Sequence, residues 1–262
     1  MAPSSQALLV AAALALAGPL AAAPARAAPA APHSQEQLFK DFGGGLWRPV
    51  KPLPLDVFET LPMPFNAEWQ TKRAEAVKTR AEGRQVFTGD SRCIPAGMPR
   101  MMMMLGTAFE VLVRPNSLGL SMAAAGGLQI RNIWTDGRKH TAPDDLFETF
   151  SGESVGRWEG DTLVVTTIGI RPTNEIIYGV QAPGMTTTER FRKTGPDALE
   201  VKLVVEDAAV FTEPFAITLN FRRQAGATLN ENEYCVAALD RSVNQQGVEE
   251  MNLIPPPDPR GK

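Results

Sequence analysis

Residues 186–206 read TTTERFRKTGPDALEVKLVVE, and the alternation within them decides the fold. Leu199, Val201, Leu203 and Val205 fall on one face of an extended segment, and Glu200, Lys202 and Glu206 on the other, because successive side chains of a strand point to opposite faces. Ahead of them, Thr194-Gly195-Pro196-Asp197 reads as a turn. Glycine supplies backbone freedom there, proline presets φ, and aspartate bonds back to its own main chain. Two period-two segments joined by so short a loop are antiparallel neighbours.

Working outward, the same period recurs in Phe109 to Val113, Ser117 to Met122, Leu128 to Trp134, Thr162 to Ile168, Phe215 to Arg222 and Leu229 to Val236. Turn signals at Glu159-Gly160-Asp161 and Gln224-Ala225-Gly226 separate the later ones. Strands that follow one another in this way must hide their hydrogen-bonding edges, and closure does so most simply. The expected fold is therefore all-β: an antiparallel up-and-down barrel, with a two-sheet sandwich as the alternative. One N-terminal helix precedes it. Asn66 is its N-cap, Glu68 and Glu75 sit early, Lys72, Arg73, Lys78 and Arg80 sit late, and Gly83 ends it. Trp69, Ala76 and Val77 are its expected contacts with the sheet.

The front of the chain speaks to compartment. Ala7 to Ala23 is an Ala/Leu/Val run without a charge, followed by Ala25-Arg26-Ala27-Ala28. This pattern is that of a secretory signal peptide cut after Ala27, although only the terminal amine of Met1 charges its n-region. Pro19, Pro24, Pro29 and Pro32 argue against a helix of the folded domain, and the run is short for a membrane anchor. The expected organisation is a signal peptide (1–27), a Pro/Gly-rich arm (28–64), a helix plus barrel (65–248) and a Pro-rich tail (249–262). Phe39, Phe42, Trp47 and Phe58 favour partial docking of the arm. A net charge of −3 with interspersed signs offers no footprint for nucleic acid. In a periplasmic or secreted protein the two cysteines, Cys93 and Cys235, are expected to form a disulfide.

The stretch 156–165, GRWEGDTLVV, resembles the hallmark of a large, largely uncharacterised family of exported proteins of Gram-negative bacteria. The segments 93–100 (CIPAGMPR), 136–140 (DGRKH), 189–192 (ERFR) and 233–235 (EYC), together with Glu206-Asp207, are similar to other family positions. The Gly-x-Trp-x-Gly-Asp-x-Leu pattern is also reminiscent of calycin-like barrels, in which the tryptophan closes one end. The resemblance implies a histidine beside Ser154, an aspartate after Val164-Val165, and a His-Ser pair before Glu189. This chain has Glu153, Thr166 and Thr186 to Thr188 in those places, so any chemistry those groups perform in relatives is lost here or rebuilt.

The candidate catalytic residues are His140, Glu153, Arg157 and Arg190: a proton-transfer pair, and two cations to counter developing negative charge. His140 stands in a polar turn beside Arg138 and Lys139, where a plain surface role is the competing reading. Arg157 is as readily a structural partner of a carboxylate, and Asp161 serves the turn. Met101, Met103, Trp134, Trp158, Thr166 and Thr188 are the candidate ligand-binding residues, lining an apolar pocket with a few orienting polar groups. The methionines at 98 and 101–104 could hold copper(I) through thioethers, but consecutive residues of a strand alternate faces, and adaptable pocket lining is the better reading. No metal motif, phosphate loop or nucleophile elbow is visible, and no cofactor is expected. The expected function is an exported barrel that binds a small apolar or aromatic molecule, as a cofactor-independent lyase, hydratase or isomerase. The alternatives are a non-catalytic carrier and an envelope interaction protein.

Overall fold

The computed structural model describes residues 34–51, 53, 61–82, 94–103, 108–124, 127–177, 180–229, 241–243 and 249–251. The expected signal peptide, both cysteines of the expected disulfide, Phe58, Gly83, Met104 and residues 230–236 of the last expected strand lie outside these residues.

Nine strands close a barrel. In chain order they are β1 (Gly45–Pro49), β2 (Phe109–Val113), β3 (Ser117–Ala124), β4 (Gly127–Trp134), β5 (Glu153–Glu159), β6 (Thr162–Ile168), β9 (Thr186–Gly195), β10 (Ala198–Glu206) and β11 (Phe215–Ala225). A small hairpin, β7 (Glu175–Ile177) and β8 (Val180–Gln181), leaves the wall between β6 and β9, and β12 (Arg241–Val243) pairs with β13 (Glu249–Met251). The helices are α1 (Gln35–Phe42), α2 (Ala67–Ala81) and the single turn α3 (Arg100–Met103). Asn66 caps α2 by accepting from the Trp69 amide at 3.0 Å, and Trp69, Ala76 and Val77 pack against the core.

The barrel is not antiparallel throughout, as the alternation had led us to expect: β4 and β5 run parallel. The reason is one of parity. Neighbours around the wall follow chain order apart from the β7–β8 excursion, and directions cannot alternate all the way round a ring with an odd number of staves. One pair must run parallel, and a parallel pair needs a long crossover instead of a tight turn. Residues 135–152 provide it.

Closure comes from the Pro/Gly-rich arm. β1 pairs with β11 over five positions and with β2 at Leu46↔Glu110 and Trp47↔Phe109. Trp47 is 0% exposed and its indole Nε1 donates to the Phe42 carbonyl at 2.7 Å. Ser34 caps α1, and α1 carries the buried Leu38 and Phe42 to this end of the barrel. Gly45 allows the tight approach: a Cβ there would meet the Gln224 carbonyl at 2.5 Å.

The registers fix which face is inside. Trp47, Phe109, Leu120, Met122, Ile133, Leu163, Val165, Phe191, Val201, Leu203, Phe215 and Phe221 share the inner face in one buried cluster. The apolar row 199–205 faces inward as expected, and Trp158 joins it across from Leu163, with its ring 6.0 Å from Phe42.

Candidate functional site

Two polar constellations stand on opposite sides of the same strands. The one inside the barrel is centred on Arg131 of β4 and Glu189 of β9, both 0% exposed. The guanidinium forks onto the carboxylate through both terminal nitrogens, one of them at 3.0 Å. Its Nε donates to the Ser154 hydroxyl at 3.0 Å and Nη2 donates to Thr167 at 2.9 Å. Charges removed so completely from water persist only when paired and hydrogen-bonded, as these are. Sequence reading missed all four residues. The available signal was a charge in the middle of each of two strands, and alternation does not say which charge turns inward.

The Arg131 phase has a consequence on the outside. With Arg131 and Ile133 pointing in, β4 turns Leu128 and Ile130 to solvent, 58% and 48% exposed. The parallel ladder between β4 and β5 spans only Ile133↔Ser154 and Trp134↔Val155. Over residues 127–132, β4 has β3 as its one ladder partner among the described residues. A cleft of about 610 Å³ lies along this seam, between the outer face of β4 and the crossover. Its apolar lining includes Ile130, Trp134, Leu146, Phe147 and Phe150, and its polar lining includes Asn132, Thr141, Asp145, Glu153 and Ser154.

The crossover wall is firmly held. Thr149 donates to the Gly169 carbonyl and accepts from the Arg171 amide, and the Phe150 carbonyl accepts from the Met98 amide and the Asn174 side chain. The chain enters β5 through Gly152 at φ +67, where a Cβ would lie 2.6 Å from Thr167 Cγ2. Only glycine meets both demands without strain.

At one end of the cleft the crossover folds back over β5 and β6, and three of the candidate residues meet. His140 Nδ1 is 2.9 Å from Glu153 Oε1, and His140 Nε2 is 2.7 Å from Thr166 Oγ1. Glu153 Oε1 also accepts the Thr141 amide at 2.9 Å, and Oε2 accepts the Thr141 hydroxyl at 2.5 Å. Burial pushes the Glu153 carboxyl up, but the hydrogen bonds from Thr141 and His140 together outweigh it and hold it below the usual carboxylate range. An ionised carboxylate only accepts. In the neutral ring Nδ1 therefore carries the proton, and Nε2 accepts the Thr166 hydroxyl. Carboxylate, imidazole and hydroxyl are thus lined up as in a relay that primes a base by fixing its tautomer.

The other candidates lie apart from this group. Thr188 is the cross-strand neighbour of Thr166 on the same outer face. Arg157 is four positions along β5 from Glu153, about 13 Å at strand spacing. It pairs with Glu159 at 3.0 Å, and Arg190 pairs with the same carboxylate at 2.8 Å. The hydrogen bond from Arg190 is the main cause that holds the Glu159 carboxyl low, opposed by slight burial and reinforced by Arg157. This is the carboxylate partner that was the structural reading of Arg157. Trp134 lines the cleft, with the Arg138 guanidinium 3.7 Å from its ring centroid. Met101 and Met103 are buried in α3, and Trp158 belongs to the inner face. Among the described residues no three His, Cys, Asp or Glu side chains converge in a group suited to a metal. No helix among them is long and apolar enough to cross a membrane.

Glu153 also makes a pH prediction. Its pKa in the folded protein lies below the ordinary value of 4.5, so its contribution to stability is fully present above pH 4.5 and is lost as pH falls through the folded-state pKa. Urea unfolding of wild type and Glu153→Gln at neutral and acid pH is expected to show wild type more stable at neutral pH and the gap closing in acid. A gap that stays constant with pH would show that the folded protein does not favour the ionised form.

Fold and site together define a closed, nine-stranded mixed β-barrel with a carboxylate–imidazole–hydroxyl group on its wall. The chain matches no protein-family model, and no curated protein matches it.

Proposed function

We propose that the protein is an exported barrel that binds a small, largely apolar or aromatic molecule, and that it does so in the cleft on the wall. One observation carries the reading: a preformed cleft of about 610 Å³, bounded by Trp134, Phe147, Phe150 and Ile130, ends at a carboxylate held ionised by three hydrogen bonds. An apolar wall with few, fixed polar groups is the composition of a small-molecule site. Export rests on the run Ala7 to Ala23 and the Ala25-Arg26-Ala27 pattern. Kinship with the exported family and with calycin-like barrels belongs to the same proposal, supported by residues 156–165 and by closure of the barrel.

The relay favours a second step on the bound molecule. Glu153, the member of the group that lines the cleft, takes a proton from the bound molecule, while His140 and Thr141 orient its carboxylate and Thr166 holds the His140 ring. This suits an isomerisation or elimination without a cofactor. Arg157 and Arg190, both paired with Glu159, stand apart from this group.

The test uses Trp134 as reporter. Titration with a panel of aromatic and terpenoid compounds is expected to give saturable quenching in wild type. Ile130→Trp, which puts bulk into the cleft from an exposed strand position, is expected to abolish it. Quenching that survives Ile130→Trp unchanged, or no saturable quenching by any compound, refutes the cleft as the binding site. For a compound that binds, proton exchange with deuterated solvent is expected in wild type and at least about a hundredfold slower in Glu153→Gln, the usual scale of general-base effects.

A further inference from the structure

We propose that the cleft selects amphiphilic cations: molecules with an aromatic or aliphatic body and a primary or secondary ammonium group. The proposal rests on the reading of the cleft as the ligand site and adds the charge of what enters it.

Among the described residues, the charged side chains of the lining are Asp145 and Glu153, and no lysine, arginine or histidine belongs to it. The crossover wall, residues 141–153, reads TAPDDLFETFSGE, with acidic Asp144, Asp145, Glu148 and Glu153 and no basic residue. The facing wall is β4, and its one charge, Arg131, is turned inward and neutralised by Glu189. The cations around the cleft are largely engaged. Arg138 is paired with Asp136 at 2.6 Å, and the guanidinium of Arg171 sits 4.6 Å from the Phe150 ring centroid. Arg114 donates to Asn132 Oδ1 at 2.5 Å; of the crossover's basic side chains besides Arg138, His140 is bonded to Glu153 and Lys139 is exposed. A concave site whose walls carry charge of one sign concentrates ligands of the other.

The hydrogen-bonding capacity points the same way. Among the described residues, Glu153 Oε1 accepts twice and Oε2 only from the Thr141 hydroxyl, which leaves one acceptor position of the carboxylate open among them. The exposed Asp145 carboxylate has no hydrogen bond or ion pair among the described residues. Both carboxylates have acceptor capacity to spare among the described residues, and an ammonium supplies several donors.

The experiment compares phenethylammonium, phenethyl alcohol and phenylacetate by titration calorimetry against the full chain. The ammonium is expected to bind roughly tenfold more tightly than the alcohol, and the acid more weakly than either; tenfold corresponds to about 1.4 kcal/mol. Asp145→Asn, an exposed position with no partner to lose, is expected to weaken the ammonium several-fold and leave the alcohol unchanged. The ammonium preference should also shrink with added salt. Equal binding of ammonium and alcohol, or tighter binding of the acid, overturns the charge selection while leaving the cleft as a binding site. If none of the three binds, the cation proposal falls. If, in addition, the wider panel gives no saturable quenching of Trp134, the cleft reading falls with it.

Discussion

Arg131→Met and Glu189→Leu, each made alone, are expected to destabilise the fold by about 3–5 kcal/mol, and made together to cost much less than either. Each single change leaves one full charge inside the barrel with no counter-charge. Glu189 sits in register between Val165 and Leu203, so a leucine there meets apolar neighbours. In the double variant the hydroxyls of Ser154 and Thr167 still have each other at 3.0 Å. Equilibrium unfolding of the four proteins forms a double-mutant cycle, and the expected coupling is large. If the double variant is as unstable as the worse single one, the pair contributes shape and hydrogen bonds that methionine and leucine cannot replace, and the charge argument fails.

The same residues explain why the seam holds with so little backbone pairing. Between β4 and β5 the ladder has two positions, and the bond from Arg131 Nε to the Ser154 hydroxyl ties the two strands from within. In the single variants, amide hydrogen exchange along 127–134 should therefore rise more than along β9–β10, where the ladder is long. A polar tie of this kind also fixes phase, because a strand that slipped by one residue would carry Arg131 to the outside.

Much of the wall was legible because its segments are amphipathic. Thr162–Ile168 has the bounds expected of it, and the row from Leu199 to Val205 faces the core. Residues 127–134 show where the method stops. Read by hydropathy, Leu128 and Ile130 belong inside and Arg131 outside. The structure has the opposite phase, because the partner that neutralises Arg131 lies on a strand far away in sequence. The meeting of His140, Glu153 and Thr166 was half legible: each residue stood out as a candidate, but what joins them is a crossover whose path depends on the parallel pair. That some pair is parallel follows from the odd number of staves, and the count was hidden by β1 and β5. Gly45–Pro49 sits among glycines and prolines that read as an arm, and Glu153–Glu159 has a glycine and charges that blur its alternation.

The arm strand carries the second large expectation. Trp47→Ala should cost about 3–5 kcal/mol, the range for truncating a buried large aromatic side chain, and should open the barrel at the β1–β2 edge, where only two pairs close the ring. The indole is fully buried, faces Phe109 and Arg223 in register, and donates to the Phe42 carbonyl. Its loss leaves a cavity and unties α1 from the wall at one stroke. Trp47→Phe separates the two contributions: it keeps most of the buried area and loses the hydrogen bond, for a smaller cost of about 1–2 kcal/mol. Thermal unfolding together with proteolysis in the arm reads both effects. Were Trp47→Ala to unfold as wild type does while the arm became sensitive to protease, β1 would be a strap laid over an already complete sheet, and closure, with the parity that requires one parallel pair, would no longer explain the seam.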